Sequence, residues 1–179
     1  MDKTPTSLPS WNEPLTRLLG SLKKADRPIR LAILGIGQET RGDDAAGVYL
    51  ARLLEPFAVG NPNLLVLDVG SAPENFTSGL RHFHPDLILM VDAAQMDIDA
   101  GDVRWLEWQD IENGLPATHT FSLGFIADFF HRELGSEVAL IGIQPAQNEF
   151  AAPLSSVVSQ AVQQLSSELT ALLQAQQSS

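Results

Sequence analysis

The sequence predicts one α/β domain of three layers, in which a mostly parallel, twisted sheet of about five strands has helices on both faces. From residue 30 onward, strand-like and helix-like segments alternate, as they do in βα units. Three of the strands are continuous apolar runs, which is typical of strands that are covered on both faces. A chain of 179 residues is also long enough to bury a substantial core.

The boundaries of the predicted elements follow the apolar pattern along the chain. The predicted strands are Arg30–Ile36, Leu64–Asp68, Asp86–Asp92, Val103–Trp108 and Glu137–Ile143. The predicted helices are Ala45–Leu54, Glu74–His82, Phe121–Glu133 and Leu154–Leu173. The strand that begins at Val103 follows the turn-forming residues 99–102, so it is the candidate for an antiparallel orientation.

Residues 1–29 precede the alternating pattern and are predicted to be an extension of the domain, which occupies residues 30–173. Five apolar residues of this extension recur at helical spacing: Trp11, Leu15, Leu18, Leu19 and Leu22. We expect an amphipathic helix that packs on the domain itself rather than on a membrane or a partner. Three basic residues suit the negative end of its dipole: Lys23, Lys24 and Arg27. At the other end of the chain, residues 174–179 are predicted to fray.

The charge and composition of the chain exclude several classes of partner and site. A formal net charge of −11 disfavours nucleic acid and anionic membranes, because binding to either needs basic patches. The chain has no cysteine, which excludes thiol nucleophiles, cysteine metal sites and disulfides. It shows neither a secretory signal nor the run of about 20 apolar residues that spans a membrane. We therefore expect a cytoplasmic protein, and we expect it to be a monomer.

The most informative segment is the glycine-rich loop at residues 35–44, between the first strand and the first helix of the domain. A Gly-x-Gly turn at this position usually binds phosphate. Here Asp43 and Asp44 stand where the phosphate would bind, and their charge favours a cation or a cationic group on a partner. Thr40 replaces the third glycine of the dinucleotide fingerprint, so a nucleotide-binding module ranks third among the possible functions.

Functional side chains of open α/β sheets gather in the loops beyond the carboxyl ends of the strands. Those loops contain Asp44 and Asp92, and His119 lies just before a helix. Two carboxylates and one imidazole suit a first-row divalent metal such as nickel or zinc. Structural interpretations exist for the same residues: Asp43 or Asp44 as a helix N-cap, Asp92 in a turn, and His119 as a cap or a buried histidine. The spacing alone leaves both kinds of interpretation open.

Other catalytic patterns are missing or weak. The chain has no Gly-x-Ser-x-Gly elbow of a serine hydrolase and no His-Glu-x-x-His pair of a zinc peptidase. Residues 68–70 match one of the two Asp-Thr/Ser-Gly loops of an aspartic protease poorly. The remaining histidines favour structural interpretations, with His82 and His84 at a helix end and His131 in solvent.

Six blocks of the chain, in their order and spacing, resemble the hydrogenase maturation endopeptidases. The resemblance covers about residues 30–165. The blocks are 35–37 with 42–47, 68–75, 91–93, 99–104, 118–119 and 141–145. Among them, the Ser-Ala-Pro-Glu-Asn and Gly-Ile-Gln-Pro blocks are most similar to the formate-hydrogenlyase type of this family.

The resemblance implies a hydrolase, grouped near the aspartic-type peptidases, that removes a C-terminal extension from the large-subunit precursor of a nickel–iron hydrogenase. The enzyme is expected to recognise nickel that the substrate carries, and other divalent cations are expected to occupy the same site. The family's metal-binding positions match Asp44, Asp92 and His119, which are also implied to be catalytic. Whether the metal activates water, polarises the scissile carbonyl or only recognises the substrate stays open at this point.

The resemblance and the loop position together give six residues that are expected to shape the loop or contact the substrate: Gly35, Gly37, Gln38, Gly42, Asp43 and Gln144. Gln38 stands where the family usually has asparagine. Gln144 lies at a strand end, where it either contacts the substrate or stabilises a turn. The alternative function is a non-catalytic docking protein or metallochaperone for the same precursor.

Overall fold

The computed structural model describes residues 10–107 and 120–177, with side chains over 10–107 and 123–175. The strands are β1 (Leu31–Ile36), β2 (Leu64–Gly70), β3 (Leu87–Ala93), β4 (Val103–Leu106) and β5 (Glu137–Ile143). The helices are α1 (Asn12–Leu22), α2 (Ala46–Ala58), α3 (Thr77–Phe83), α4 (Thr120–Leu134) and α5 (Ser156–Gln177). Short 3-10 turns, Gly42–Ala45 and Pro73–Phe76, lead into α2 and α3.

The five strands form one sheet in the order β2-β1-β3-β5-β4. The pairs β1–β2, β1–β3 and β3–β5 are parallel, and β4 runs antiparallel to β5. Because the parallel strands point the same way, the loops that follow β1, β2, β3 and β5 meet at one edge of the sheet. The predicted fold is confirmed, including the antiparallel strand.

Helices cover both faces of the sheet. Because successive side chains of a strand point to opposite faces, the protein has two hydrophobic cores, one on each face. In β3, Leu87, Leu89 and Val91 pack into the core under α1, α2 and α5. Ile88 and Met90 point the opposite way, into the core under α3 and α4. Every residue of β3 is buried, which explains why this strand is a continuous apolar run in the sequence.

Helix α1 packs on the domain, as predicted. Its residues Leu15 and Leu19, together with Trp11 just before it, are buried in the same core as α2 and α5. Lys23 is the C-cap residue of α1, so one of the three predicted basic residues stands directly at the end of the helix. Lys24 and Arg27 form ion pairs with Asp86, at 2.7 and 2.6 Å, and so tie the segment after α1 to the start of β3.

Several element boundaries differ from the prediction. Helix α2 runs through Pro56 to Ala58 rather than ending at Leu54; so close to the end of the helix, the missing Pro56 amide costs only one hydrogen bond. The predicted helix 74–82 is a 3-10 turn followed by α3. Helix α5 begins at Ser156 and continues to Gln177, beyond the predicted end at Leu173. The last predicted residue of β4, Trp108, lies outside the described residues.

Across the described part of the chain, no helix combines the length and the apolar character that crossing a membrane requires.

Candidate active site

The loop after β1 folds back on itself at the carboxyl edge of the sheet. The Gly37 amide donates to the Gly70 carbonyl at 3.0 Å, and the Gln38 amide donates to the Asp44 carbonyl at 3.1 Å. The Asp44 amide in turn donates to the Arg41 carbonyl at 3.0 Å. These hydrogen bonds bring the 3-10 turn that contains Asp43 and Asp44 against the end of β1.

Two glycines let the loop and α2 approach the strand this closely. A Cβ atom on Gly35 would lie 2.1 Å from the Gly47 carbonyl oxygen in α2. A Cβ atom on Gly37, whose φ is +148°, would lie 1.9 Å from the Asp44 carbonyl oxygen. A side chain at Gly35 would push α2 away from β1, and one at Gly37 would push the turn that contains Asp44 away from the sheet edge. The predicted loop-shaping role of these glycines therefore has a steric explanation.

Asp92, near the end of β3, is a buried carboxyl group next to a second acidic residue. Its exposed fraction is 7%. Burial, reinforced by the negative charge of Asp44, raises the pKa of Asp92 to about 8, although a hydrogen bond from the Ala93 amide acts in the opposite direction. Asp44 itself is half-buried on the 3-10 turn.

No lysine or arginine among the described side chains forms an ion pair with Asp44 or Asp92. The raised pKa of Asp92 shows that two negative charges are unfavourable here without a cation, so a metal ion or a positively charged group would stabilise the site with both groups ionised. The donor set therefore fits the oxygen part of the predicted metal site.

The third predicted ligand, His119, lies outside the described residues, as does Thr118. Helix α4 begins at Thr120, so the expectation of a helix directly after His119 is confirmed. Within residues 10–107 and 123–175, no three Asp, Glu or His side chains are grouped closely enough to hold a metal ion. The assignment of Asp44, Asp92 and His119 as one site stays a prediction.

Asp43 is fully buried and binds the loop that follows β5. Its Oδ2 accepts hydrogen bonds from the Ala146 amide at 2.9 Å, the Gln147 amide at 3.0 Å and the Ser155 hydroxyl at 2.9 Å. Its Oδ1 accepts from the Ser155 amide at 2.6 Å. The interpretation of Asp43 or Asp44 as a cap of α2 is wrong, because Ala45 occupies the N-cap position without a side-chain hydrogen bond.

The two glutamines at this edge have different environments. Gln38 is exposed on the loop, where its side chain is free to meet a substrate. Gln144 is buried; its Oε1 accepts from the Met96 amide at 2.7 Å and its Nε2 donates to the Pro145 carbonyl at 3.2 Å. The side chain of Gln144 therefore joins the loops after β3 and β5, which favours the turn-stabilising role over substrate contact.

Sequence reasoning missed the residues that hold the rim of the loop. Arg52 of α2 forms ion pairs with Glu39 and with Asp68 at the end of β2, the latter at 2.8 Å. The hydrogen bonds that Arg52 donates to Glu39 and Asp68 raise the pKa of Arg52, and the one that Glu39 accepts lowers the pKa of Glu39. Arg52 is 13 residues from Glu39 and 16 from Asp68, so no local pattern marks the three as a cluster.

The comparisons with known proteins decide which family has this loop and sheet edge. Residues 48–172 match the family model of the HycI hydrogenase maturation protease. The chain belongs to this family. The hydrogenase maturation protease described here is 35% identical over 147 residues to a putative hydrogenase maturation protease of Methanocaldococcus jannaschii, a match that covers 79% of this chain and 85% of the relative.

Two further relatives support the assignment. The hydrogenase 3 maturation protease of Escherichia coli K12 is 35% identical over 132 residues, covering 73% of this chain and 83% of that protein. The crystal structure of the [NiFe] hydrogenase maturation protease HycI from Thermococcus kodakarensis matches with a TM-score of 0.70 and 29% identity, over 81% of this chain and 92% of that one. This chain is therefore a peptidase, a processing enzyme of hydrogenase maturation.

Proposed function

We propose that this protease removes the C-terminal extension of a nickel–iron hydrogenase large-subunit precursor once nickel has been inserted, and that Asp44, Asp92 and His119 contact the nickel. Its family supports the substrate class, since a similar structure is that of a [NiFe] hydrogenase maturation protease. The observation that carries the choice of site is the pair Asp44 and Asp92 at the carboxyl edge of the sheet, without a described cation between them.

The chemistry of the ligands explains why recognition would require a loaded precursor. The protease has no cysteine, so it offers the metal only carboxylate and imidazole donors. These suit a borderline metal such as nickel but leave its coordination incomplete, and thiolates of the precursor would complete it. A precursor without nickel would bring no positive charge to the two carboxylates.

The surrounding loops would hold this pair in position. Asp43 fastens the loop of Asp44 to the segment 146–155, so the Asp44 carboxylate is presented on a braced turn rather than on a free loop. The exposed Gln38 lies on the same loop and is the residue we assign to contact with the precursor. We also expect the enzyme to act as a cytoplasmic monomer.

Intact-mass measurement of a nickel-loaded precursor incubated with wild type and two variants tests the proposal. Asp92→Asn removes one proposed nickel contact and should leave the precursor uncut. The matched control is Asp97→Asn, on the loop after β3, because Asp97 is exposed and its φ of +56° suits asparagine equally well. The control should process the precursor at the wild-type rate.

Two outcomes would contradict the proposal. Full processing by Asp92→Asn would remove this carboxylate from the site. A precursor that binds the wild-type protein but keeps its full mass would favour the docking-protein alternative for this chain.

A further inference from the structure

A cavity lies on one face of the sheet, between the edge strand β2 and helix α3. Its volume is about 400 Å³. The walls are apolar and come from β2, from the 3-10 turn before α3 and from α3 itself: Leu65, Leu67, Phe76 and Phe83. Arg30 also lines the cavity, and the exposed side chains of Asn75 and His82 stand at its rim. Strand β2 is at the edge of the sheet and its inward side chains are only half-buried, so this part of the sheet face is left partly uncovered.

Arg30 has an unsatisfied hydrogen-bond donor at this cavity. Its Nε is buried and has no hydrogen-bond partner, which is true of no other buried side-chain nitrogen or oxygen in the described part of the chain. A buried donor without an acceptor costs about 1–3 kcal/mol, so such atoms are rare in folded proteins. The guanidinium carbon lies 4.7 Å from the centre of the Phe83 ring, and this stacking holds the side chain against the apolar wall.

The carboxylate of Asp86 does not compensate the charge of the Arg30 side chain. Asp86 accepts a hydrogen bond from the backbone amide of Arg30 at 2.8 Å, but its oxygens bind the side chains of Lys24 and Arg27. Among the described side chains, no carboxylate forms an ion pair with the Arg30 guanidinium. The chain contains 22 acidic and 11 basic residues, so an arginine left without an acidic partner is not a result of scarcity.

We propose that this cavity binds a carboxylate carried by a small apolar group, such as the C-terminal residue of a peptide or a short organic acid. Because Nε is buried without a bound ligand, the guanidinium of Arg30 would turn toward the cavity and pair with the carboxylate in a bidentate manner, which gives Nε an acceptor. The leucine and phenylalanine walls would enclose the apolar part. Arg30 directly precedes β1, so it lies at the amino ends of the strands, whereas Asp44 and Asp92 lie at their carboxyl ends. The inference therefore does not depend on the proposed function.

Titration of the isotope-labelled protein, followed by amide proton–nitrogen NMR spectra, tests this inference with three probes. N-acetyl-leucine has an apolar side chain and a free carboxylate, N-acetyl-leucinamide has the same side chain without the charge, and hexanoate is a carboxylate without a peptide group. We expect saturable shifts with N-acetyl-leucine, concentrated at amides around the cavity such as those of Leu65 and Gly79, and at least tenfold weaker binding of the amide.

The hexanoate arm distinguishes the two sources of the carboxylate. Binding of hexanoate as tight as that of N-acetyl-leucine supports an organic-acid site, whereas binding of N-acetyl-leucine alone supports recognition of a peptide C-terminus. Equal binding of the acid and its amide, shifts concentrated elsewhere, or no saturable binding of either acid would each overturn the inference.

Two variants and a matched control assign the binding to Arg30. Arg30→Gln removes the charge and should weaken N-acetyl-leucine binding at least tenfold. Arg30→Lys keeps the charge but loses the paired N–H donors of the guanidinium, and should weaken this binding several-fold. The control is Arg81→Gln, because Arg81 lies on α3 but pairs with Glu133 at 3.5 Å and does not line the cavity. If Arg30→Gln does not fold, Arg30→Lys decides the question. Unchanged binding by a folded Arg30 variant would overturn the inference.

Discussion

Replacement of Asp92 by asparagine should make the protein more stable at neutral pH while it abolishes processing. Burial and the charge of Asp44 raise the pKa of this carboxyl group from 3.8 to about 8 on folding. Between these pH values the folded state retains a proton that the unfolded state has released. The free energy of unfolding therefore falls as the pH rises through this range. Asparagine resembles the protonated carboxyl group in shape and does not titrate, so the variant should not show this loss.

The size of the effect follows from the difference in pKa. From 3.8 to neutral pH is about three pH units, and each unit corresponds to about 1.4 kcal/mol, so the gain at pH 7 is on the order of 4 kcal/mol. Near pH 4 the carboxyl group is protonated in the folded wild-type protein. The two proteins should then have nearly the same free energy of unfolding.

Urea unfolding at a series of pH values, with a chelator present to remove metal ions, measures this difference. Asp86→Asn is the control, because it should change the free energy of unfolding at neutral pH in the opposite direction. Burial acts to raise the pKa of Asp86, but hydrogen bonds from Arg27 and Lys24 outweigh it and lower the pKa. The stabilisation by Asp86 is therefore present above its unfolded pKa and is lost as the pH falls, so Asp86→Asn should destabilise the protein at neutral pH. A wild-type protein as stable as Asp92→Asn at pH 7, or a difference between them that is independent of pH, would refute the reasoning.

Three further predictions concern the loop and the site. Asp43→Asn weakens a buried carboxylate that accepts four hydrogen bonds, so the free energy of unfolding in urea should fall by about 3 kcal/mol; an unchanged value would show that these bonds do not stabilise the loop. Gly35→Ala places a Cβ atom 2.1 Å from the Gly47 carbonyl oxygen, and overpacking of this kind should cost about 2 kcal/mol or more in the same measurement, whereas a neutral result would mean that α2 moves freely. His119→Ala should abolish precursor processing while the circular dichroism spectrum stays that of wild type; full processing would remove His119 from the site.

The fold was predictable because its signals are local. The apolar run of β3 is continuous since every residue of that strand is buried, and the alternation with helices then implies parallel strands. The antiparallel β4 was also predictable, because a glycine turn at residues 99–102 precedes it. The position of the loop residues at the carboxyl edge followed from the topology alone.

The contacts that brace the candidate site were not predictable in the same way. Asp43 binds Ala146 and Ser155, which are 103 and 112 residues away along the chain, and nothing near Asp43 marks these partners. The hydrogen bond of the buried Gln144 side chain was equally hard to predict, since its partner Met96 is 48 residues away along the chain. The composition of a loop indicates which chemistry is present, but long-range hydrogen bonds decide which of its carboxylates is structural.

The most direct test of the proposed nickel recognition is the intact mass of a hydrogenase large-subunit precursor after incubation with this protease, in nickel-loaded and nickel-free forms. If cleavage depends on nickel, only the nickel-loaded precursor should lose its C-terminal fragment. Equal loss from both forms would contradict recognition of substrate-bound nickel, while leaving the peptidase activity of the family in place.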